Sequence, residues 1–117
     1  MMAAHNKLNN LIFIIDYNKL SSTHPTNEII NLEPLVEKMK AFNLYTIEID
    51  GNNMEEIVRA LDEAKQVTDK PIAIVANTVK GKGVSFMENV GKWHSSGLTD
   101  EEYKIAMEDL NRIEEAL

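Results

Sequence analysis

Three short apolar runs along the chain each end in polar residues. They cover residues 11–16, 45–49 and 72–76. The first and third are apolar on both faces, which is typical of strands buried in a parallel sheet, whereas the second alternates in part and predicts a less buried strand. Ligands of open α/β folds bind beyond the carboxyl ends of such strands, so the polar residues after each run are the first candidates for function.

Helical periodicity fills the stretches between and after these runs. Apolar residues recur there every three or four positions and predict one buried stripe on each helix. The three stripes are Leu32, Leu35, Val36, Met39 and Phe42; then Met54, Ile57, Val58, Leu61 and Ala64; and finally Tyr103, Ala106, Met107, Leu110, Ile113 and Leu117. Residues 1–8 predict a further, short helical segment.

Capping residues mark where the three longer helices begin. Asn31 is a suitable N-cap for the first of them. Asn53 with Glu56, and Thr99 with Glu102, have the spacing of capping boxes, in which the two side chains bond each other's backbone N–H groups. Two long loops, residues 17–30 and 77–98, complete the chain, and long ordered loops are often functional.

Alternation of strands and helices predicts an α/β fold. The expected architecture is a three-layer open parallel sheet with helices on both faces, formed by residues 1–117 as a single domain. The carboxyl-end loops, residues 18–25, 50–53 and 80–94, should then meet along one edge. A sheet of only three strands leaves two unpaired edges, which predicts docking against another segment or chain.

Composition narrows the classes of function. The net charge of −7 argues against general binding to nucleic acid or to anionic membranes. There is no cysteine, which excludes disulfides and thiolate metal sites and suits the cytoplasm. No apolar run is long enough for a membrane helix, and the N-terminus lacks the pattern of a signal peptide.

Three groups at the predicted edge could support chemistry. Asn18 offers an amide oxygen to a hard cation such as Mg²⁺, although asparagine after a strand is usually a turn former. The segment Lys80-Gly81-Lys82-Gly83 suits a neighbouring phosphate but has the wrong spacing for a Walker A motif, and such a segment is more often a solvated loop. His94 could bind phosphate or transfer a proton, while the adjacent Trp93 is more often a packing residue.

Five stretches together resemble transketolase, and more narrowly the N-terminal subunit of the split bacterial and archaeal transketolases. They are residues 3–20, 32–42, 48–57, 70–89 and 92–94, in the order and with the spacing of that family. The resemblance runs nearly from end to end and is far more specific than any single motif.

The resemblance implies a thiamine diphosphate site completed by Mg²⁺ or Ca²⁺. In it, Asn18 matches the residue whose side chain binds the metal, and Leu20 matches the residue whose backbone carbonyl binds it. Lys80 matches a lysine near the cofactor. His94 matches a histidine near the diphosphate and the reacting centre, where it assists substrate binding and proton transfer. The implied reaction transfers a two-carbon ketol unit from a ketose phosphate to an aldose phosphate.

Departures from the family predict that other segments complete the site. The family's Gly-Asp-Gly element, which carries an aspartate metal ligand, lies upstream of the asparagine, and only 17 residues precede Asn18. The pyrimidine-binding domain with its activating glutamate has no counterpart here. We therefore expect the partner to be a complementary transketolase segment or subunit, and we expect no turnover by this chain alone. The alternative is a non-catalytic remnant that acts through protein–protein association.

Overall fold

The computed structural model describes residues 1–22 and 24–116. Its strands are β1 (Ile12–Tyr17), β2 (Tyr45–Asp50) and β3 (Ile72–Asn77), and its helices are α1 (Met2–His5), α2 (Thr26–Ile29), α3 (Leu35–Ala41), α4 (Met54–Gln66) and α5 (Asp100–Glu114), with a 3₁₀ helix at Gly91–His94. No helix in these two ranges is long and apolar enough to cross a membrane. Thr23 in the first long loop and Leu117 in the last apolar stripe lie outside the described residues.

The sheet is parallel, as predicted, and its strand order is β1-β3-β2. The most apolar strand, β3, lies in the centre, and its first five residues are buried. Helices pack on both of its faces. On one face α4 covers Ile72, Ile74 and Ile49, and on the other face α3 covers Val75 and Tyr17. This confirms the predicted three-layer α/β architecture.

The predicted apolar stripes of α4 and α5 are only partly buried. On α4, Met54 and Val58 are exposed, whereas Ile57 and Leu61 pack on the sheet. On α5, Ala106 is buried, but Tyr103, Met107, Leu110 and Ile113 are exposed. The stripe of α5 is exposed because this helix lies against the loop after β3 and not against the sheet. Leu110 and Ile113 approach Gly83, and Asp109 accepts hydrogen bonds from Ser85.

The prediction that Asn31 is the N-cap of the second helix was wrong. Helix α3 starts at Leu35, and Pro34 occupies the capping position. The Asn31 side chain instead accepts a hydrogen bond from the backbone N–H of Glu33 at 3.0 Å, which closes a local turn. The Glu33 carboxylate then accepts the N–H of Leu35 at 3.1 Å and takes over the capping role.

Of the two predicted capping boxes, one is confirmed and one is half formed. Thr99 and Glu102 bond each other's backbone N–H groups at the start of α5. At α4, Asn53 accepts the N–H groups of Glu55 and Glu56, but the Glu56 carboxylate bonds Asp50 N at 2.8 Å. Glu56 thus ties the end of β2 to the helix that follows it.

The two shortest helices differ from the sequence-based prediction. Helix α1 covers only half of the eight residues predicted as helical, and Lys7 has a left-handed backbone beyond its end. Helix α2, of four residues, lies inside residues 17–30, which were predicted as loop. Four residues make barely one helical turn, too few to show a periodic pattern.

Candidate functional site

The carboxyl ends of the three strands are level and border one cleft. Tyr17, Asn77 and Asp50 are the last residues of β1, β3 and β2 and pair in register. The cleft beyond them has a volume of about 470 Å³, which lies within the range typical of small-molecule sites. Side chains from all three strand ends line it, as the parallel topology predicts. The lining residues are Tyr17, Asn18, Lys19, Leu20, Asp50, Asn77, Thr78, Val79 and Asn89.

Hydrogen bonds join the β2–α4 turn to the loop after β3. The side chain of Asn52 accepts the N–H of Val79 at 2.7 Å, and Gly51 N donates to the carbonyl of Asn77 at 2.8 Å. Glycine is required in this turn because a Cβ on Gly51 would clash with Cγ2 of Thr78 and with Cβ of Ala76. The floor of the cleft is therefore held by a close approach of two backbone segments.

Asn18 is oriented by hydrogen bonds on both sides of its amide. Its Oδ1 accepts the backbone N–H of Leu20 at 3.0 Å, and its Nδ2 donates to the Asp16 carboxylate at 3.4 Å. The other oxygen of Asp16 accepts the hydroxyl of Thr78. Sequence reasoning missed Asp16 and Thr78. Since side chains two apart on a strand share a face, the spacing of Asp16 and Asn18 was the signal that could have found the first of them.

The two hydrogen bonds of the bridge beside Leu20 do not involve its backbone carbonyl. Leu20 and Pro25 form an isolated antiparallel bridge, whose two hydrogen bonds run from Ser21 N to His24 O and from Thr26 N to Lys19 O. Neither bond uses the Leu20 carbonyl. In such a pair the N–H and C=O of Leu20 point away from Pro25, and the N–H meets Asn18 Oδ1. The side chain of Asn18 is therefore in contact with the backbone of Leu20.

Two hard oxygen donors of this kind suit Mg²⁺ or Ca²⁺. An amide oxygen and a backbone carbonyl are common ligands of these cations, which take about six oxygens in total. In the described ranges, no group of three or more His, Asp or Glu side chains could hold a metal ion. The donor set of Asn18 and Leu20 is therefore chemically suitable and supplies part of such a coordination shell.

Lys80 adjoins the cleft without lining it. Its side chain is half buried, and its carbonyl accepts the N–H of Asn89, which does line the cleft, at 2.9 Å. The lysine–glycine segment is tightly turned, because Gly81 and Gly83 have φ of 73° and 97°. Lys82 Nζ lies 3.6 Å from the Glu88 carboxylate, which sets Lys82 apart from Lys80.

His94 is exposed at the end of the 3₁₀ helix and does not line the cleft. The adjacent Trp93 is a packing residue: its indole N–H donates to the carbonyl of Phe86 at 3.1 Å, and the two rings meet edge to face with centroids 5.2 Å apart. The structure thus brings Asn18 and Leu20 together, links the backbone of Lys80 to the cleft through Asn89, and leaves His94 outside the cleft.

One wall of the cleft contains a tyrosine–carboxylate pair. The hydroxyl of Tyr17 donates to Glu33 at 2.8 Å. This bond raises the pKa of Tyr17 and, together with the N–H of Leu35, lowers the pKa of Glu33. Glu33 is therefore a stable anion next to the aromatic face that borders Asn18.

Comparison with known proteins identifies related sequences over nearly the whole chain. Residues 1–112 match the family described as "Transketolase, thiamine diphosphate binding domain". The 6-deoxy-6-sulfo-D-fructose transketolase subunit SqwG of Clostridium sp. (strain MSTE9) is 43% identical over 112 residues, which is 96% of this chain and 41% of that protein. An apulose-4-phosphate transketolase subunit of Phocaeicola vulgatus is 38% identical over 109 residues, 92% of this chain and 39% of that protein.

Solved structures show the same fold. The transketolase of Campylobacter jejuni matches with a TM-score of 0.87 and 34% identity, over 94% of this chain and 17% of that one. The transketolase of Pichia stipitis in complex with sedoheptulose 7-phosphate matches with a TM-score of 0.84 and 28% identity, over 94% of this chain and 16% of that one. The chain spans about two fifths of the length of the two transketolase subunits named above.

Proposed function

Because this chain belongs to the family of transketolase thiamine-diphosphate-binding domains, we propose that it supplies one part of a transketolase active site. The complete enzyme transfers a two-carbon ketol unit between sugar phosphates. When bound, thiamine diphosphate supplies the carbon nucleophile of this transfer. This chain binds the cofactor's diphosphate through Mg²⁺ or Ca²⁺, and it acts in the cytoplasm.

The arrangement of Asn18 and Leu20 is the observation that carries the proposal. The backbone N–H of Leu20 donates to Asn18 Oδ1, and both residues line a cleft of about 470 Å³ at the carboxyl edge of a parallel sheet. That is where open α/β folds bind phosphorylated ligands. Asn18 supplies its side-chain oxygen to the metal, and Leu20 supplies its backbone carbonyl.

Lys80 and His94 have supporting roles in this proposal. Lys80 lies one hydrogen bond from the cleft through Asn89 and contributes positive charge near the diphosphate. His94 is exposed outside the cleft, and in this proposal it binds the substrate and transfers a proton. A histidine suits both tasks because its unperturbed pKa is near neutrality.

A partner segment is part of the proposal, and β1 supports it. Strand β1 is an edge of the sheet, and Ile12 and Ile14 are 37% and 59% exposed there. Ile14 also borders an apolar cavity of about 190 Å³ between β1 and α4. We propose that a complementary transketolase segment or subunit covers this face and supplies the remaining metal ligands and the pyrimidine-binding domain.

Calorimetric titration of thiamine diphosphate with Mg²⁺ tests the half-site directly. We expect Asn18→Ala to bind at least about tenfold more weakly than the native chain, because it removes a ligand atom of the metal. Asn31→Ala is the matched control, since Asn31 forms a turn before α3 and does not line the cleft. Equal affinity of Asn18→Ala and the native chain would contradict the proposed role of Asn18.

Complementation tests the activity. We expect no ketol transfer by the chain alone, and we expect transfer after the missing segments of a related split transketolase are added. Failure of every such combination would contradict the proposal. A stable oligomer that ignores thiamine diphosphate would instead favour the non-catalytic alternative.

A further inference from the structure

Lys19 adopts a backbone conformation that lysine rarely takes. Its φ is 61°, in the left-handed region where the side chain of any residue except glycine is strained. Among the described residues with positive φ, Asn43 and Asn89 are of a type that tolerates it, and Lys7 follows the end of α1, where this conformation is common. Neither explanation applies to Lys19, which lies between Asn18 and Leu20, the two candidate metal ligands.

The side chain of Lys19 is held at the cleft by an aromatic ring. Its Nζ lies 5.6 Å from the centroid of Tyr17, and Tyr17 is itself fixed by its hydrogen bond to Glu33. Within residues 1–22 and 24–116, Lys19 forms no ion pair, whereas Lys82 and Lys92 each pair with a glutamate. The ammonium group is therefore positioned by Tyr17 and lies close enough to Glu33 for its charge to help lower the pKa of that carboxyl, but within the described residues it forms no ion pair with Glu33.

The surroundings of Lys19 are acidic, so an anionic ligand in this cleft needs a nearby positive charge. The cleft also contains Asp50, with Asp16 close by through Asn18, in a chain of net charge −7. Negative charge of this kind repels a phosphate unless a cation offsets it. We propose that Lys19 is an anion-binding residue of this cleft, whose ammonium contacts a phosphate group of the ligand held at Asn18 and Leu20. This inference rests on the proposed function.

Two substitutions of Lys19 separate charge from strain. Lys19→Met keeps the strained backbone and removes the charge, whereas Lys19→Gly removes both. We expect each variant to bind thiamine diphosphate with Mg²⁺ about fivefold more weakly, the effect of losing one exposed ion pair. Lys19→Gly should nevertheless unfold at the same or a higher temperature than the native chain, because it relieves the backbone.

Lys7→Gly is the matched control for backbone relief. Lys7 also has a positive φ, of 51°, but it lies at the end of α1 and outside the cleft. We expect Lys7→Gly to bind thiamine diphosphate with Mg²⁺ as tightly as the native chain does. The same variants are also titrated with inorganic pyrophosphate plus Mg²⁺ and, separately, with a ketose phosphate. These titrations show whether Lys19 contacts a phosphate of the cofactor or of the substrate.

The outcomes distinguish this inference from the proposed function. If the native chain binds but neither Lys19 variant weakens any of the three ligands, the inference is wrong and the proposed function stands. A loss that appears only in Lys19→Gly would also overturn it, since charge would then be irrelevant. A native chain that binds none of the three ligands at millimolar concentration overturns the role of Lys19, and complementation then decides the proposed function.

Discussion

At the scale of single residues, the amide of Asn18 owes its orientation to a short chain of polar contacts. Thr78 donates to Asp16, and Asp16 accepts from Asn18. The contact crosses from β1 to the loop after β3, so it joins the two sides of the cleft. Asn18 Oδ1 is thereby turned towards the backbone of Leu20 rather than towards Asp16.

Replacing Thr78 with valine tests this chain of contacts. Thr78→Val has nearly the same shape but cannot donate to Asp16, so we expect the free energy of unfolding to fall by about 1 kcal/mol. Urea unfolding measures the change. Thr68→Val is the control, because Thr68 is exposed and its hydroxyl makes no hydrogen bond within the described ranges. An equal loss in both variants would show that the contact with Asp16 contributes nothing.

The sequence pattern pointed to the position of Asn18 but not to the residues that surround it in the fold. The pattern of an apolar strand ending in a polar residue predicts a site at Asn18, and the structure places a cleft there. Thr78 and Asn89 follow a different strand, and only the strand order brings them to Asn18. Long-range pairing of this kind is not encoded in local periodicity, which explains why both residues were missed.

At the scale of elements, the side chain of Asn53 caps the start of α4. Asn53 Oδ1 accepts the N–H groups of Glu55 and Glu56 at 3.0 and 3.3 Å. We expect Asn53→Ala to lower the free energy of unfolding by about 1 kcal/mol, and Asn53→Asp to retain most of the stability because a carboxylate accepts the same bonds. Urea unfolding of the three proteins checks this. A loss of equal size in Asn53→Asp would contradict the capping role.

Asp109 fastens α5 to the loop that follows β3. Its carboxylate accepts the N–H and the hydroxyl of Ser85 at 2.8 and 2.6 Å, and Arg112 lies 3.1 Å away. These contacts, first those with Ser85, lower the pKa of Asp109. They explain why α5 lies on a loop rather than on the sheet, which its apolar stripe did not predict.

The lowered pKa of Asp109 predicts a pH-dependent stability. A carboxyl whose pKa is lower in the folded state stabilises the protein above its unfolded pKa, near 4, and this contribution is lost as the pH falls through its folded pKa. We expect the urea midpoint of the native chain to fall more steeply below about pH 5 than that of Asp109→Asn. Glu33 and Glu102 also have lowered pKa values, but they are present in both proteins. Parallel pH profiles would contradict the prediction.

At the scale of the whole molecule, the fold class followed from the sequence because each strand and helix has a strong local pattern. The central position of β3 agrees with its continuous run of apolar residues. The exposed side of β1 was harder to foresee, since Ile12 and Ile14 look like core residues in the sequence and yet are exposed. The apolar pattern of a segment shows that it is suited to burial, but it does not show which segment buries it. Nothing within the described residues covers that side of β1.

That exposed side supports a final prediction about assembly. In the proposed function a complementary segment packs against Ile14, so Ile14→Thr should weaken complementation while changing the stability of the chain by less than about 0.5 kcal/mol. Sedimentation of the mixed segments and their ketol transfer measure the effect. Val58→Thr makes the same kind of change at a residue that is 53% exposed on α4, compared with 59% for Ile14. If both variants complement as well as the native chain, the partner does not cover β1, and the apolar cavity beside Ile14 requires another explanation. If only Ile14→Thr fails to complement, the partner packs against β1. The apolar residues of β1, which look like core residues in the sequence, would then be buried in the complete enzyme.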